Sequence, residues 1–387
     1  MTIKKAASTV AIGLGLFGAL LTNAGAETLK IGVIAPLTGA GAPHGNAMAQ
    51  AAKIAASEAN ATGGLDVGGR KYQVDVIAYD DQYKAAEAVA AYNRLVKQDG
   101  VKYMILLSSA STLAVKDSIE NDRIVAMTAA FTSKLIDSET KYITCLNSIP
   151  RNYVPGLIAW LKGNLKERCV VTVNPNDETV WEQARVDDKF LKENGFTILG
   201  NELFERTQKE FQPMLPKVIG LNVEVINLGA TQPSTAGLIV RQARELGYKG
   251  IFVKTGSPGP KDIMEAAGSK EAVEGLISMA FADPSTPGFQ RVAAEYKKAI
   301  HQEPNQVLAP YYDAANALLL AIRKGGDVND TSKTANAFAQ VLPMTSIQGD
   351  DLNAGPDRQL LSPIYVEVIK DGNPVVVGKV PLVGGAQ

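Results

Sequence analysis

Two short segments are dense in small hydroxyl residues: Ser108-Ser109-Ala110-Ser111-Thr112 and Thr128-Ala129-Ala130-Phe131-Thr132-Ser133. Hydroxyls beside the unpaired N–H groups of a helix N-terminus make a site for an anion without a metal or a charged side chain. Ser and Thr are also good helix caps, and for either segment alone capping is the plainer account. Both segments, however, follow short apolar runs that read as neighbouring strands. Open parallel sheets take their ligands beyond the carboxyl ends of such strands. A carboxylate held between the two junctions is the chemistry this pattern suggests.

Other candidates are weaker. The loop Leu37–Gly45 is rich in glycine and contains His44. It lacks the lysine of a phosphate-cradling P-loop, and a lone histidine is usually structural. Asp80 and Asp81 end a strand with no histidine, nucleophile or metal ligand near them in sequence, so capping is the better reading than acid–base work. Asp177, Glu178 and Trp181 stand at the equivalent edge of a later strand, and Tyr311-Tyr312 open a late helix as expected core residues. There are only two histidines and two cysteines, so a His/Cys zinc site is not expected. GxSxG, HExxH and EF-hand patterns are absent, and no cofactor is expected. The one GxGxxG match, Gly13–Gly18, follows no strand and is set aside.

Alternating elements must position these residues. Strands are expected at Leu29–Ala35, Gln73–Tyr79, Tyr103–Leu107 and Ile124–Met127, with helices at about 46–60, 85–98 and 112–121. A second series is expected to start with Tyr142–Leu146 and to continue through Cys169–Val173, Thr197–Leu203, Val223–Leu228 and Ile251–Val253. Two such series predict two doubly wound parallel α/β lobes. Helices then dominate from about Pro287, and a hairpin through Asp371-Gly372-Asn373 closes the chain.

The 387 residues are 46% hydrophobic and 20% charged, with a net charge of −1, so no nucleic-acid partner is expected. Lys4 and Lys5, the apolar run Ala6–Leu21 and Ala24-Gly25-Ala26 form the three regions of a secretory leader cleaved after Ala26. The mature chain is expected to be exported and soluble. Cys145 and Cys169 are expected to stay unpaired, at opposite ends of their strands.

The order Leu29-Lys30-Ile31-Gly32-Val33-Ile34-Ala35-Pro36-Leu37-Thr38-Gly39, Asn60-Ala61-Thr62-Gly63-Gly64, Tyr79-Asp80-Asp81 and Ile239–Gly247 resembles the leucine/isoleucine/valine-binding family of periplasmic solute receptors. The likeness spans essentially the whole mature chain. It implies a type I periplasmic binding protein, two lobes joined by a three-stranded hinge, with the ligand in the cleft between them. By the resemblance, lobe 1 comprises residues 27–147 and about 278–346, and lobe 2 about 148–277 and 347–387. It implies a monomeric periplasmic receptor, not an enzyme, that delivers its ligand to the permease subunits of an ABC importer. A signalling or chemotaxis receptor is the alternative role, and an exported enzyme a weaker one.

The resemblance also assigns residues. Ser109 falls at the family's carboxylate-binding serine, Ala130 at a backbone contact and Thr132 at a threonine contact, with Ser108 beside them. His44 falls where relatives often carry an aromatic. Thr179 falls near a tyrosine of many relatives, with Trp181 as the alternative aromatic. Gly256 falls where amino-acid-binding relatives place a glutamate for the ligand's ammonium. Either Asp177 or Glu178 replaces that glutamate, or the ligand is an amine-free aromatic or 2-oxo acid.

Overall fold

The computed structural model describes residues 1–2 and 27–383. The body of the expected leader, residues 3–26, and its cleavage site lie outside the described residues. The strands form two sheets. Across the first lie β12 (Asn353–Gly355), β13 (Gln359–Leu361), β6 (Ile143–Cys145), β5 (Val125–Thr128), β4 (Tyr103–Leu106), β1 (Glu27–Ala35), β3 (Arg70–Asp80) and β2 (Leu65–Val67). Across the second lie β15 (Asn373–Val380), β14 (Ile364–Lys370), β11 (Ile277–Ala280), β10 (Ile251–Lys254), β9 (Val225–Asn227), β7 (Cys169–Pro175) and β8 (Thr197–Phe204). The inner strands of both are parallel. The molecule is therefore two parallel-sheet α/β lobes, as the alternating pattern predicts.

β4 and β5 are buried at every residue, and β1 from Ile31 onward. Inner strands of a parallel sheet lie under helices on both faces, so their sequences are unbroken apolar runs. The chain crosses between lobes three times, after β6, after β11 and between β13 and β14. Two crossings are stitched together. Ser148 Oγ donates to the Ser362 carbonyl at 2.8 Å, and the Ser362 N–H donates back to Ser148 Oγ at 3.2 Å.

Several expectations are corrected. Ile143–Cys145 pairs with β5 and belongs to the first sheet, not to the head of the second series. Residues 353–361, expected in lobe 2, sit at the edge of the first sheet, where β13 joins β6. β11, for which the sequence gives no strand, pairs with β10 and keeps residues 277–280 in lobe 2. All are strands of three or four residues, too short to show a period. The helix expected from Asn46 begins at Ala42, so His44 lies in its first turn rather than in the loop before it. Cys145 and Cys169 are unpaired, as expected, but because they stand in different sheets. The hairpin turn is Asp371-Gly372, both at positive φ (+53° and +77°), as a two-residue type I′ turn requires.

Candidate ligand-binding cleft

A cavity lies between the lobes. Leu107 follows β4, Ala129 and Phe131 follow β5, and Asn147 follows β6; from the other lobe, Ala230 and Gln232 follow β9 and Ser257 follows β10. Each wall is thus built at the carboxyl ends of parallel strands. His44, Tyr83, Phe281, Val307 and Tyr311 complete the lining. The cavity volume is about 40 Å³.

The lobes touch around it. His44 Nε2 is 2.9 Å from the Pro258 carbonyl, which can only accept, so Nε2 carries the proton and Nδ1 is left as an acceptor. Burial lowers the His44 pKa to about 4, so the ring is neutral at physiological pH. Gln232 Nε2 donates to the Tyr83 hydroxyl at 2.8 Å, and Ser234 Oγ donates to the Ala40 carbonyl at 3.2 Å. The Arg206 guanidinium lies 4.4 Å from the centre of the Tyr83 ring, and Lys134 pairs with Glu178 at 2.8 Å.

The two hydroxyl-rich junctions meet as expected. Ser109 Oγ accepts the N–H groups of Phe131 at 3.0 Å and Thr132 at 3.3 Å. Both lone pairs are occupied, so its own proton must be donated elsewhere. Thr132 Oγ1 likewise accepts the Lys134 N–H at 3.3 Å. Both residues are buried. Two expected contacts are spent internally. The Ser108 hydroxyl accepts the Ser111 N–H and donates to Ser111 Oγ, so it caps the helix Ser109–Asp122. The Ala130 N–H goes to Thr128 Oγ1 at 3.1 Å, which leaves Ala130 only its carbonyl.

Asp80 and Asp81 do not cap the helix Ala85–Lys97, which has no side-chain cap. Asp80 Oδ1 takes the N–H groups of Leu37 and Gln82, and Asp81 takes the Tyr83 N–H at 3.0 Å and the Ser111 hydroxyl at 2.6 Å. These bonds hold Gln82 and Tyr83 in the left-handed region (φ +50° and +59°), which ordinary residues avoid. The bend aims the Tyr83 ring into the cleft. Gly41 makes room for it: a Cβ there would lie 2.3 Å from Tyr83 Cε2.

The aromatic wall is Tyr83, Phe131, Phe281 and Tyr311, not Trp181. Trp181 is 49% exposed and bonds Asn176 through its indole N–H at 3.2 Å. Thr179 is in the first turn of the helix Glu178–Glu193, and its side chain lies outside the described residues. Asp177 pairs with Arg206 at 2.6 Å and Glu178 with Lys134, and neither lines the cavity. Nor does Gly256 leave a gap. A Cβ on it would lie 3.1 Å from both Ala230 Cβ and Gln183 Oε1. The Gln183 amide filling that space is fixed by the Tyr153 hydroxyl at 2.8 Å and by Asp187 at 2.7 Å. Asp187 itself is buried behind Gln183, where desolvation raises its pKa to about 7. Tyr83, Gln232, Ser257 and Phe281 were not singled out by sequence. Only their place at the strand ends, which requires the correct strand order, points to them.

No helix among the described residues is long and apolar enough to cross a membrane, and no group of His, Cys, Asp and Glu there could hold a metal ion. A family model described as periplasmic binding protein matches residues 28–373. The leucine-, isoleucine-, valine-, threonine- and alanine-binding protein of Pseudomonas aeruginosa is 26% identical over 321 residues, 81% of this chain and 82% of its own length. A leucine-binding protein from Thermotoga maritima superposes with a TM-score of 0.79 at 24% identity, covering 91% of this chain and 99% of that one. A solute-binding protein from R. palustris in complex with benzoate also reaches 0.79, at 17% identity, covering 92% and 98%.

Proposed function

The chain belongs to the Leu/Ile/Val-binding family of type I periplasmic binding proteins, and from that premise we propose as its ligand a small, amine-free carboxylate with an apolar body. Members of this family are periplasmic solute receptors of ABC importers, not enzymes, and hand a small molecule to membrane permease subunits. What is proposed for this chain is the ligand class and the residues that hold it.

One observation carries the proposal. No Asp or Glu stands among the cavity-lining residues, and the space at Gly256 is occupied by the Gln183 amide. An ammonium enclosed here would lose several kcal/mol of hydration without a counter-charge to offset it. The anion pole is proposed at Ser109 and Thr132, which meet the lining residue Phe131 through the Ser109 hydroxyl but do not themselves line the cavity. Ser109 is a donor by elimination, and the Thr132 hydroxyl proton is free beside it. The body of the ligand would lie against Phe131, Phe281, Tyr311 and Leu107. Benzoate, the ligand of one similarly folded protein, has this combination of carboxylate and flat apolar body.

The test is a thermal-shift screen of the chain from Glu27 onward, stripped of co-purified ligand by unfolding and refolding. The panel pairs leucine and phenylalanine with their 2-oxo acids and adds benzoate. Ligands that bind only the folded state raise the melting temperature. Stabilisation by the amine-free acids alone is expected; stabilisation by the amino acids alone would overturn the reading.

A further inference from the structure

Resting on the reading of an amine-free carboxylate, we infer that the ligand carries a hydroxyl group as well, read by Ser257 and Gln232 of the second lobe. Both side chains line the cavity and are buried, at 7% and 3% exposure. Ser257 Oγ and Gln232 Oε1 are enclosed, yet neither has a hydrogen-bond partner in the protein. Of the other polar atoms in the lining, Gln232 Nε2 is engaged with Tyr83, His44 Nε2 with Pro258 and Asn147 Nδ2 with the Ser148 carbonyl. Buried polar groups are nearly always paired, and an unpaired one costs folding free energy.

The backbone adds a second observation. Ser257 is held at φ +49°, a conformation natural to glycine and strained for serine.

The chemistry of the two atoms selects their partner. An amide oxygen only accepts, so the ligand group must donate to Gln232. The Ser257 proton needs an acceptor. A ketone or ether cannot donate to Gln232, and an ammonium cannot accept from Ser257. A hydroxyl does both and leaves no proton or amide oxygen unpaired. Ser109 and Thr132 belong to the first lobe and this pair to the second. A hydroxy acid would therefore be gripped at its carboxylate by one lobe and at its hydroxyl by the other, which ties recognition to closure.

Titration calorimetry on the refolded chain tests this with matched probes: 3- and 4-hydroxybenzoate against 3- and 4-methylbenzoate, 2-hydroxy-4-methylpentanoate against 4-methylpentanoate, and leucine. At least one hydroxy acid should bind about tenfold or more tighter than its counterpart, the worth of a satisfied hydrogen bond pair. That ratio should fall towards one in Ser257→Ala, and in Gln232→Met as a second variant. Carboxylates that bind without preference for the hydroxyl would overturn the inference and leave the amine-free reading standing. Binding of leucine alone, or of no probe, would overturn both.

Discussion

Ser109 Oγ receives the backbone N–H of Phe131 at 3.0 Å, so the residue proposed to hold the ligand's carboxylate also fastens the β5 loop to the helix after β4. Its second lone pair is filled by Thr132. Ser109→Ala therefore removes a donor to the ligand and strands two N–H groups. The affinity for an amine-free carboxylate should fall by roughly 1–3 kcal/mol in Ser109→Ala and in Thr132→Ala, with a lower melting temperature in the former. Calorimetry with whichever acid the screen identifies decides it, and unchanged affinity in both variants would refute the anion pole.

Ser108 provides the contrast, one residue away. Its hydroxyl is spent on Ser111, which passes its own proton to Asp81. Ser108→Ala should cost about 1 kcal/mol of stability in urea, the worth of a helix cap. The loss of binding should be much smaller than that in Ser109→Ala. A larger loss of affinity in Ser108→Ala would reverse the assignment of the two serines.

At Gly256 the question is whether a missing glutamate can be put back. Gly256→Glu introduces a Cβ that meets Gln183 and Ala230 at 3.1 Å, closer than ordinary contact. Overpacking of this kind typically costs 1–3 kcal/mol. The single variant should lose stability and gain no affinity for leucine. Gly256→Glu with Gln183→Ala removes the Gln183 contacts and leaves only that with Ala230 Cβ, and leucine binding should appear there. Leucine binding by the single variant at an unchanged melting temperature would show that Gln183 does not block the position.

The inner strands were legible because a parallel sheet buried on both faces leaves unbroken apolar runs, as in Tyr103–Leu106. The meeting of the two hydroxyl-rich junctions was legible because Ser109 and Thr132 sit at two such strand ends. What stayed hidden depends on contacts distant in sequence. The edge strand Gln359–Leu361 exists through β6, some 214 positions earlier, and carries no period of its own. Tyr83 enters the cleft only because Asp80 and Asp81 bend the chain ahead of it, a role that two adjacent carboxylates do not announce. The same holds for Gln183, which reaches Gly256 from another helix.

His44 sets a pH dependence. Its folded pKa of about 4 is below the ordinary 6.5, so the unfolded chain binds a proton that the folded one refuses. The neutral ring is without penalty above pH 6.5, and stability is lost as the pH falls from 6.5 to 4. The full loss is on the order of 3 kcal/mol. Asp187 and Glu367, raised to about 7 and about 8 by burial, act in the opposite sense, losing their contribution as pH rises. The difference between the wild-type chain and His44→Gln isolates the histidine. Urea melts from pH 4 to 7 should show the two curves converging on acidification, and parallel curves would mean that His44 is not held neutral.

The interlobe contacts differ in strength by their exposure. Lys134 and Glu178 pair at 2.8 Å, but the lysine side chain is 67% exposed, and such pairs contribute about 0–1 kcal/mol. The Arg206 side chain is 17% exposed, pairs with Asp177, and stacks on Tyr83, whose hydroxyl takes the Gln232 N–H. A shielded cation–π contact is worth about 2 kcal/mol. Arg206→Ala should therefore weaken ligand binding about tenfold or more, through a less favourable closed state, whereas Lys134→Ala should change it less than about threefold. Arg206→Lys should rescue little, because an ammonium lacks the guanidinium fork that pairs with Asp177 while lying over the Tyr83 ring. Small-angle scattering with saturating ligand would separate the cases. Arg206→Ala should retain a more extended population, and a fully compact Arg206→Ala with wild-type affinity would place the closing force elsewhere in the interface.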